Sequence, residues 1–329
     1  RPWTIARHTL APVARAVEEL VAARGFDLVH AEQLQALPQA EPARRRGLPA
    51  LLRAQNVESD LWGAAGRASS AGIAAALGTE SRRLARWEGR AVHGAARTLA
   101  LTEGDAERLR ELSGGEGRVE VLAAPFPERL SAGGRPLQGE PAVVLLEGSG
   151  WRPNRVGAEW FRREVWPRLR AELPRARLHV FGGASRRDEA DGVHRYPAPA
   201  DSAAAFPEGS VLAVPLRIAS GVRIKVLEAW ARGVPVVGTP EALAGLGVRD
   251  GVEAMVAGGA GPFAAAFARL AGEPGLAAAL IAGGRAALAA RHDPRRLARE
   301  LLEIYADVAA APSSGLGRRR PPAWERPPR

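Results

Sequence analysis

Short apolar runs alternate with stretches of helical period along almost the whole chain, and the alternation starts twice. Strands separated by helices are laid down parallel, because each crossover helix carries the chain back before the next strand begins. The helices then cover both faces of the sheet. In the first series, residues 12–23 read as a helix and 26–30 (FDLVH) as a short buried strand. Further strands are expected at 49–53, 98–102 and 119–122, with helices at 80–93 and 103–112. Residues 131–141 turn to Gly, Pro and polar side chains and read as a linker. The second series predicts strands at 142–146, 177–181, 211–215 and 234–238. Its helices fall at 155–172, broken at Pro167, and at 224–232, 262–270, 276–291 and 294–308. The expected fold class is therefore α/β with two doubly wound domains. The first spans 1–130 and the second 142–311, followed by a disordered basic Pro-rich tail over 312–329.

Composition narrows the chemistry. Hydrophobic residues make up 46% of the 329, enough for packed cores. There is no cysteine, which removes disulfides, thiolate metal sites and cysteine nucleophiles together. No apolar stretch is long enough to span a membrane; 264–270 is short and contains Arg269. A cytoplasmic protein is expected, with peripheral contact at the inner membrane face as the alternative use of the Arg318–Arg320 run. The net charge of +10 favours anionic partners. No basic face interleaved with stacking aromatics is present, so nucleic acid is not an expected partner. All the formal cations except Lys225 are arginines.

That single lysine lies in the most informative segment, 214–239, VPLRIASGVRIKVLEAWARGVPVVGT. A strand ends at Pro215, a loop with Ser220 and Gly221 follows, and a helix opens with Arg223, Lys225 and Glu228 near its start. Backbone amides and the positive end of a helix dipole attract phosphate. Arg adds a fork and Lys a point charge, while a carboxylate such as Glu228 can accept two hydroxyls of a ribose. A surface helix gains nothing from cations at its start, where the dipole opposes them. In a chain that uses Arg everywhere else, Lys225 at this spot points to a ligand.

The segment resembles the donor site of the GT-B glycosyltransferases of the large retaining family known as family 4, which often read PLR-x-GSG-T-R-x-K-x-LEA. The resemblance places Glu228 as the ribose ligand and second glutamate of an E-x7-E signature. Arg223 and Lys225 become the basic pair at the diphosphate, and Gly245 and Leu246 part of the loop after the next strand. Ser220 stands where the first glutamate would fall, and Ala244 where Glu is common. A second block, 147–167, EGSGWRPNRVGAEWFRREVWP, is similar to the family stretch after the first strand of the C-terminal domain. Gly148 and Gly150 would let backbone approach the donor. Asn154 would cap the following helix. Trp160, Phe161 and Trp166 read as helix core at helical spacing.

Before the linker the likeness is fainter. His30 and Glu32 fall where the family has a strand end near the cleft, and Asn56 and Glu58 lie in a second matched stretch, LRAQNVESDLW. The resemblance implies a catalytic role for His30, Lys225 and Arg223, donor contacts from Gly148, Gly150, Ser220, Gly221, Glu228, Gly245 and Leu246, and acceptor-side contacts from Glu32, Asn56 and Glu58. The reaction would move a sugar from a nucleoside-diphosphate-sugar donor to an acceptor hydroxyl with retention, without a bound metal and with no cofactor. The acceptor, whether glycan, lipid-linked or small molecule, is not legible. A non-catalytic nucleotide-binding relative and a GT-B sugar-nucleotide epimerase are the rival readings. The chain starts at Arg1 and enters the first Rossmann-like pattern near Phe26, so the N-terminal domain is expected to be incomplete and the fragment inactive or poorly stable.

Overall fold

The computed structural model describes residues 1–67, 69–131, 133–148, 152–182, 190–217 and 221–311. The chain divides into two compact units. The first takes residues 1–124, with 221–222 and 295–311; the second takes 125–217 and 223–294. No single helix among the described residues is long and apolar enough to cross a membrane.

The first unit opens with helices α1 (Trp3–His8) and α2 (Ala11–Ala23), then strand β1 (Val29–Glu32), a 3-10 segment (Leu34–Ala40) and α3 (Glu41–Arg45). Strand β2 (Ala50–Ala54) leads to α4 (Glu58–Arg67) and the long α5 (Ala71–Gly94). Strand β3 (Arg97–Ala100), α6 (Glu103–Leu112) and β4 (Val119–Val121) follow. The four strands are parallel in the order β1-β2-β3-β4. Alternation along β2 sorts its side chains: Leu52 packs on one face with Leu84 and Trp87 of α5, and Leu51 on the other with Leu99 and Leu122. Each such leucine, fully buried, contributes about 1.5–3 kcal/mol.

Local capping fixes the helix starts. Thr102 Oγ1 accepts the Asp105 N–H at 3.1 Å, which starts α6. The start of α4 is held from a distance. The buried carboxylate of Glu88, on α5, accepts the N–H of Glu58 at 2.6 Å and of Ser59 at 2.9 Å. These are amides a helix start leaves without partners. Burial nevertheless pushes the Glu88 carboxyl up to about 7, against those hydrogen bonds.

The second unit is built on a six-stranded parallel sheet in the order β10-β9-β8-β5-β6-β7. Its strands are β5 (Ala142–Leu146), β6 (Arg177–Phe181), β7 (Val193–Tyr196), β8 (Ser210–Val214), β9 (Val236–Gly238) and β10 (Met255–Val256). Strands β5 and β8 are buried along almost their whole length, as expected of a sheet covered on both faces. The expected break at Pro167 takes the form of a π-turn. Helix α7 (Arg152–Trp160) passes through it (Phe161–Val165) into α8 (Trp166–Glu172), so Pro167 sits in the first turn of α8, where a missing N–H does no harm. Phe161 and Trp166 are core, with Phe161 edge-on to Phe263 at 5.7 Å. Helices α9 (Ile224–Arg232), α10 (Pro240–Leu243), α11 (Ala260–Gly272) and α12 (Leu276–Arg291) complete the unit. Helix α9 buries Val226, Leu227 and Trp230 on one stripe and ends on left-handed Gly233 (φ +74).

Two expected boundaries differ from the observed ones. Residues 131–141 are not a free linker. Leu130 N–H donates to Ala231 O, Gly133 N–H to Phe206 O and Glu140 N–H to Arg175 O, so the segment from 125 belongs to the second unit. The last helix, α13 (Pro294–Ala310), was assigned to the second domain by order along the chain. From Arg295 it belongs to the first unit, with Leu297 buried beside Leu51, Leu99 and Leu122.

Candidate functional site

In the second unit, three sequence segments meet where β5 ends. Gly148 takes a left-handed turn (φ +63), and a Cβ there would lie 3.0 Å from Asn154 Nδ2. A Cβ at Gly182, just after β6, would lie 2.8 Å from the Gly148 amide nitrogen. A Cβ at Gly157 on α7 would lie 2.4 Å from Pro215 O, so the middle of α7 packs directly against the chain leaving β8. Bare backbone therefore lines this corner because no side chain fits. Gly150 and Ser220 lie outside the described residues.

Lys225, in the first turn of α9, projects into the same corner. Its Nζ donates to Asn154 Oδ1 at 2.9 Å and to Leu146 O at 3.3 Å. Both acceptors are neutral, and burial pulls the ammonium down from 10.5 to about 8. Asn154 thus does not act as the helix cap the sequence suggested: it lies inside the first turn of α7 and its amide oxygen holds Lys225.

Arg223 is the N-cap residue of α9, and its Nε donates to Ala242 O at 2.8 Å. This bond ties the start of α9 to α10. Thr239 caps α10 by accepting the Ala242 N–H at 3.1 Å, and its hydroxyl donates to Leu216 O. The loop beyond carries Gly245 in a left-handed conformation (φ +75) and the buried Leu246. The structure so links Arg223 with the Gly245–Leu246 loop. Glu228 lies one turn after Lys225. Its Oε1 accepts from Ser202 Oγ at 2.6 Å and from Arg232 Nε at 2.9 Å, and Arg232 is anchored on Ser131 O at 2.6 Å. Arg232 was readable as an i, i+4 partner of Glu228; Ser202 had no sequence signal.

The first unit gathers His30, Glu32 and their neighbours at the ends of β1 and β2. His30 Nδ1 meets Tyr305 Oη at 2.5 Å and Nε2 lies 3.3 Å from Glu32 Oε2. Burial pushes the His30 imidazolium down, and Glu32 opposes it. Glu32 Oε1 accepts from Gln55 Nε2 at 2.8 Å. Glu58, half-buried at the start of α4, has its carboxyl pushed up by burial, with Gln35 and Asn56 hydrogen-bonded to it. Gly221 (φ +69) groups with this unit, and a Cβ there would lie 2.2 Å from Asn56 Oδ1. Tyr305, 275 residues from its histidine, was missed in the sequence.

Two all-parallel α/β units, the second carrying a cation and glycine turns beyond the ends of its strands, define the GT-B class of fold. Both units match family profiles: residues 1–125 the "Glycosyl transferase 4-like domain" and residues 141–273 "Glycosyl transferases group 1". The chain belongs to the group 1, family 4-like glycosyltransferases, and is a glycosyltransferase. Among solved structures it is similar to sucrose-phosphate synthase from Thermosynechococcus elongatus, at 17% identity and TM-score 0.68, covering 91% of this chain and 78% of that one. HepE of Anabaena, in complex with UDP and glucose, matches at 15% identity and TM-score 0.63, over 90% and 81%. The UDP-forming α,α-trehalose-phosphate synthase from Burkholderia xenovorans matches at 14% identity and TM-score 0.64, over 91% and 78%. No curated protein sequence is significantly similar to the chain.

Proposed function

We propose that the protein transfers a sugar from a nucleoside-diphosphate-sugar donor to an acceptor hydroxyl, with retention of anomeric configuration and without a bound metal. The observation that carries this reading is Lys225: a partly desolvated ammonium held, among the described residues, by a carbonyl and an amide oxygen, beside a glycine turn and at the start of a helix. Such a cation has electrostatic attraction to spare for an anion. Lys225 and the α9 dipole would stabilise the diphosphate as it departs, a role that grows with the charge developed in the transition state. Arg223 would hold the loop after α10 and add its charge near the same helix start. Glu228, fixed by Arg232 and Ser202 through one oxygen, would offer the other to the ribose hydroxyls. Gly148, Gly150, Ser220, Gly221, Gly245 and Leu246 would complete the donor site. The UDP complex of the HepE relative and the UDP-forming trehalose-phosphate synthase support a nucleotide donor here.

On the first unit, His30 would act at the transferred sugar, held by Tyr305, while Glu32, Asn56 and Glu58 would meet the acceptor, a glycan, lipid-linked or small-molecule hydroxyl. The test is turnover with a panel of nucleoside diphosphate sugars, followed by release of the free nucleoside diphosphate. The expected result is acceptor-dependent release, insensitive to EDTA, with the product anomer matching the donor by NMR. Isomerised donor without transfer would identify an epimerase instead.

A further inference from the structure

The second unit has another basic cavity, of about 470 Å³, between α8 and the edge strand β7. Arg162, Arg170 and Arg195 line it, with Trp166, Val193 and Asp191. We propose that it binds a small organic phosphomonoester, with the phosphate on the arginines and the organic body against Trp166 and Val193.

Among the described residues, the arginines are poorly neutralised by their surroundings. Arg162 Nε is buried and, among the described residues, meets no acceptor. Arg195 has its carboxylate, Glu147, only at 3.9 Å. Arg170 Nη1 donates to the Asp191 backbone carbonyl at 2.8 Å, and Trp166 Nε1 to the same oxygen at 3.2 Å. That carbonyl fixes Arg170 beside the Trp166 ring, 6.0 Å from its centroid, without cancelling its charge. Three guanidinium forks around one space suit a tetrahedral oxyanion better than a carboxylate, because each fork can donate to a different pair of oxygens. The volume exceeds what a bare phosphate fills and falls in the range of small-molecule sites, about 300–1,000 Å³.

This cavity is separate from the donor corner. Arg162 and Arg170 follow Asn154 by 8 and 16 residues along the same run of helix. At about 1.5 Å per residue, they stand roughly 12 and 24 Å further along it. Arg195 alone reaches toward the corner, through Glu147, the residue before Gly148.

Titration calorimetry of the full chain with phenyl phosphate and with inorganic phosphate tests the proposal. Phenyl phosphate is expected to bind more tightly than inorganic phosphate. Arg162→Gln should weaken it at least about tenfold, the loss of one charge-assisted hydrogen bond. Lys225→Met should leave that binding unchanged. Arg195→Gln gives the same readout should the first variant fail to fold, and UDP binding at wild-type strength certifies that either variant is folded. Binding that disappears in Lys225→Met but survives Arg162→Gln and Arg195→Gln would place the anion in the donor corner and overturn the proposal. So would equal affinity for the two phosphates, or no binding at millimolar concentration. Phenyl phosphate binding through Arg162 in a protein that turns over no donor would uphold this site and overturn only the donor reading.

Discussion

Replacing Lys225 by Met should make the protein more stable and much less active. Burial lowers the ammonium from 10.5 to about 8, so the folded state disfavours the charge it carries at neutral pH. A displacement of that size corresponds to about 3 kcal/mol. Methionine fills similar space without the charge, but it abandons Leu146 O and Asn154 Oδ1, and two hydrogen bonds return about 1–2 kcal/mol of that gain. The net expectation is a stabilisation of about 1–2 kcal/mol, or a Tm higher by roughly 2–8 °C for a domain of this size. On the proposed role of Lys225 at the departing diphosphate, its loss should lower kcat/KM by about 10²–10³. The wild-type profile carries the same signature, because kcat/KM reports the free enzyme: it should fall as pH rises through about 8 and the ammonium deprotonates. Scanning calorimetry and donor-turnover assays on one preparation read both effects. Wild-type kcat/KM in Lys225→Met would refute the catalytic role, and a lower Tm would refute the desolvation argument.

Other consequences are open to direct measurement. Glu228→Gln should weaken donor binding about tenfold while leaving kcat within a few-fold, since the carboxylate is proposed to hold the ribose; titration with a panel of nucleoside diphosphates and steady-state kinetics separate the two. The Glu88 carboxyl is raised in the folded state, so its contribution to stability is full below the ordinary value near 4.5 and is lost as pH rises through about 7. Urea unfolding should show stability falling across that window, and Glu88→Gln should flatten the slope. Gly157→Ala places a methyl 2.4 Å from Pro215 O and should destabilise the second unit by about 1–3 kcal/mol while displacing Asn154, so both Tm and activity should drop.

Much of the second unit was legible because its strands are short apolar runs with little else in them, and because Gly233 and Pro235 punctuate the end of α9, whose bounds the sequence placed at Ile224 and Arg232. Strand β7 escaped notice because Val193–Tyr196 alternates with His and Arg and sits at a sheet edge, where buried apolar side chains are few. Strand β10 has two residues and no period to read. In the site, Lys225 stood out by being the only lysine, but its hold on Asn154 spans 71 residues of sequence, and no local pattern encodes a contact of that kind. Glu88 reads as one more charge on a charged helix until α4 is seen to begin on it. The allegiance of α13 was hidden for a related reason: its apolar stripe is plain, but nothing in the stripe names the sheet that receives it.

The path of the chain makes the two units unequal as pieces. The second is entered after Ala124 and left at Pro294, and its ends are stitched together by the Phe126 N–H on His292 O at 2.8 Å. It is an insert with neighbouring ends, interrupted only where 221–222 belong to the first unit. The first is the host, split in sequence. Stopping translation at 294 uncaps Leu51, Leu99 and Leu122, so damage to the last helix should be felt as loss of the half made first.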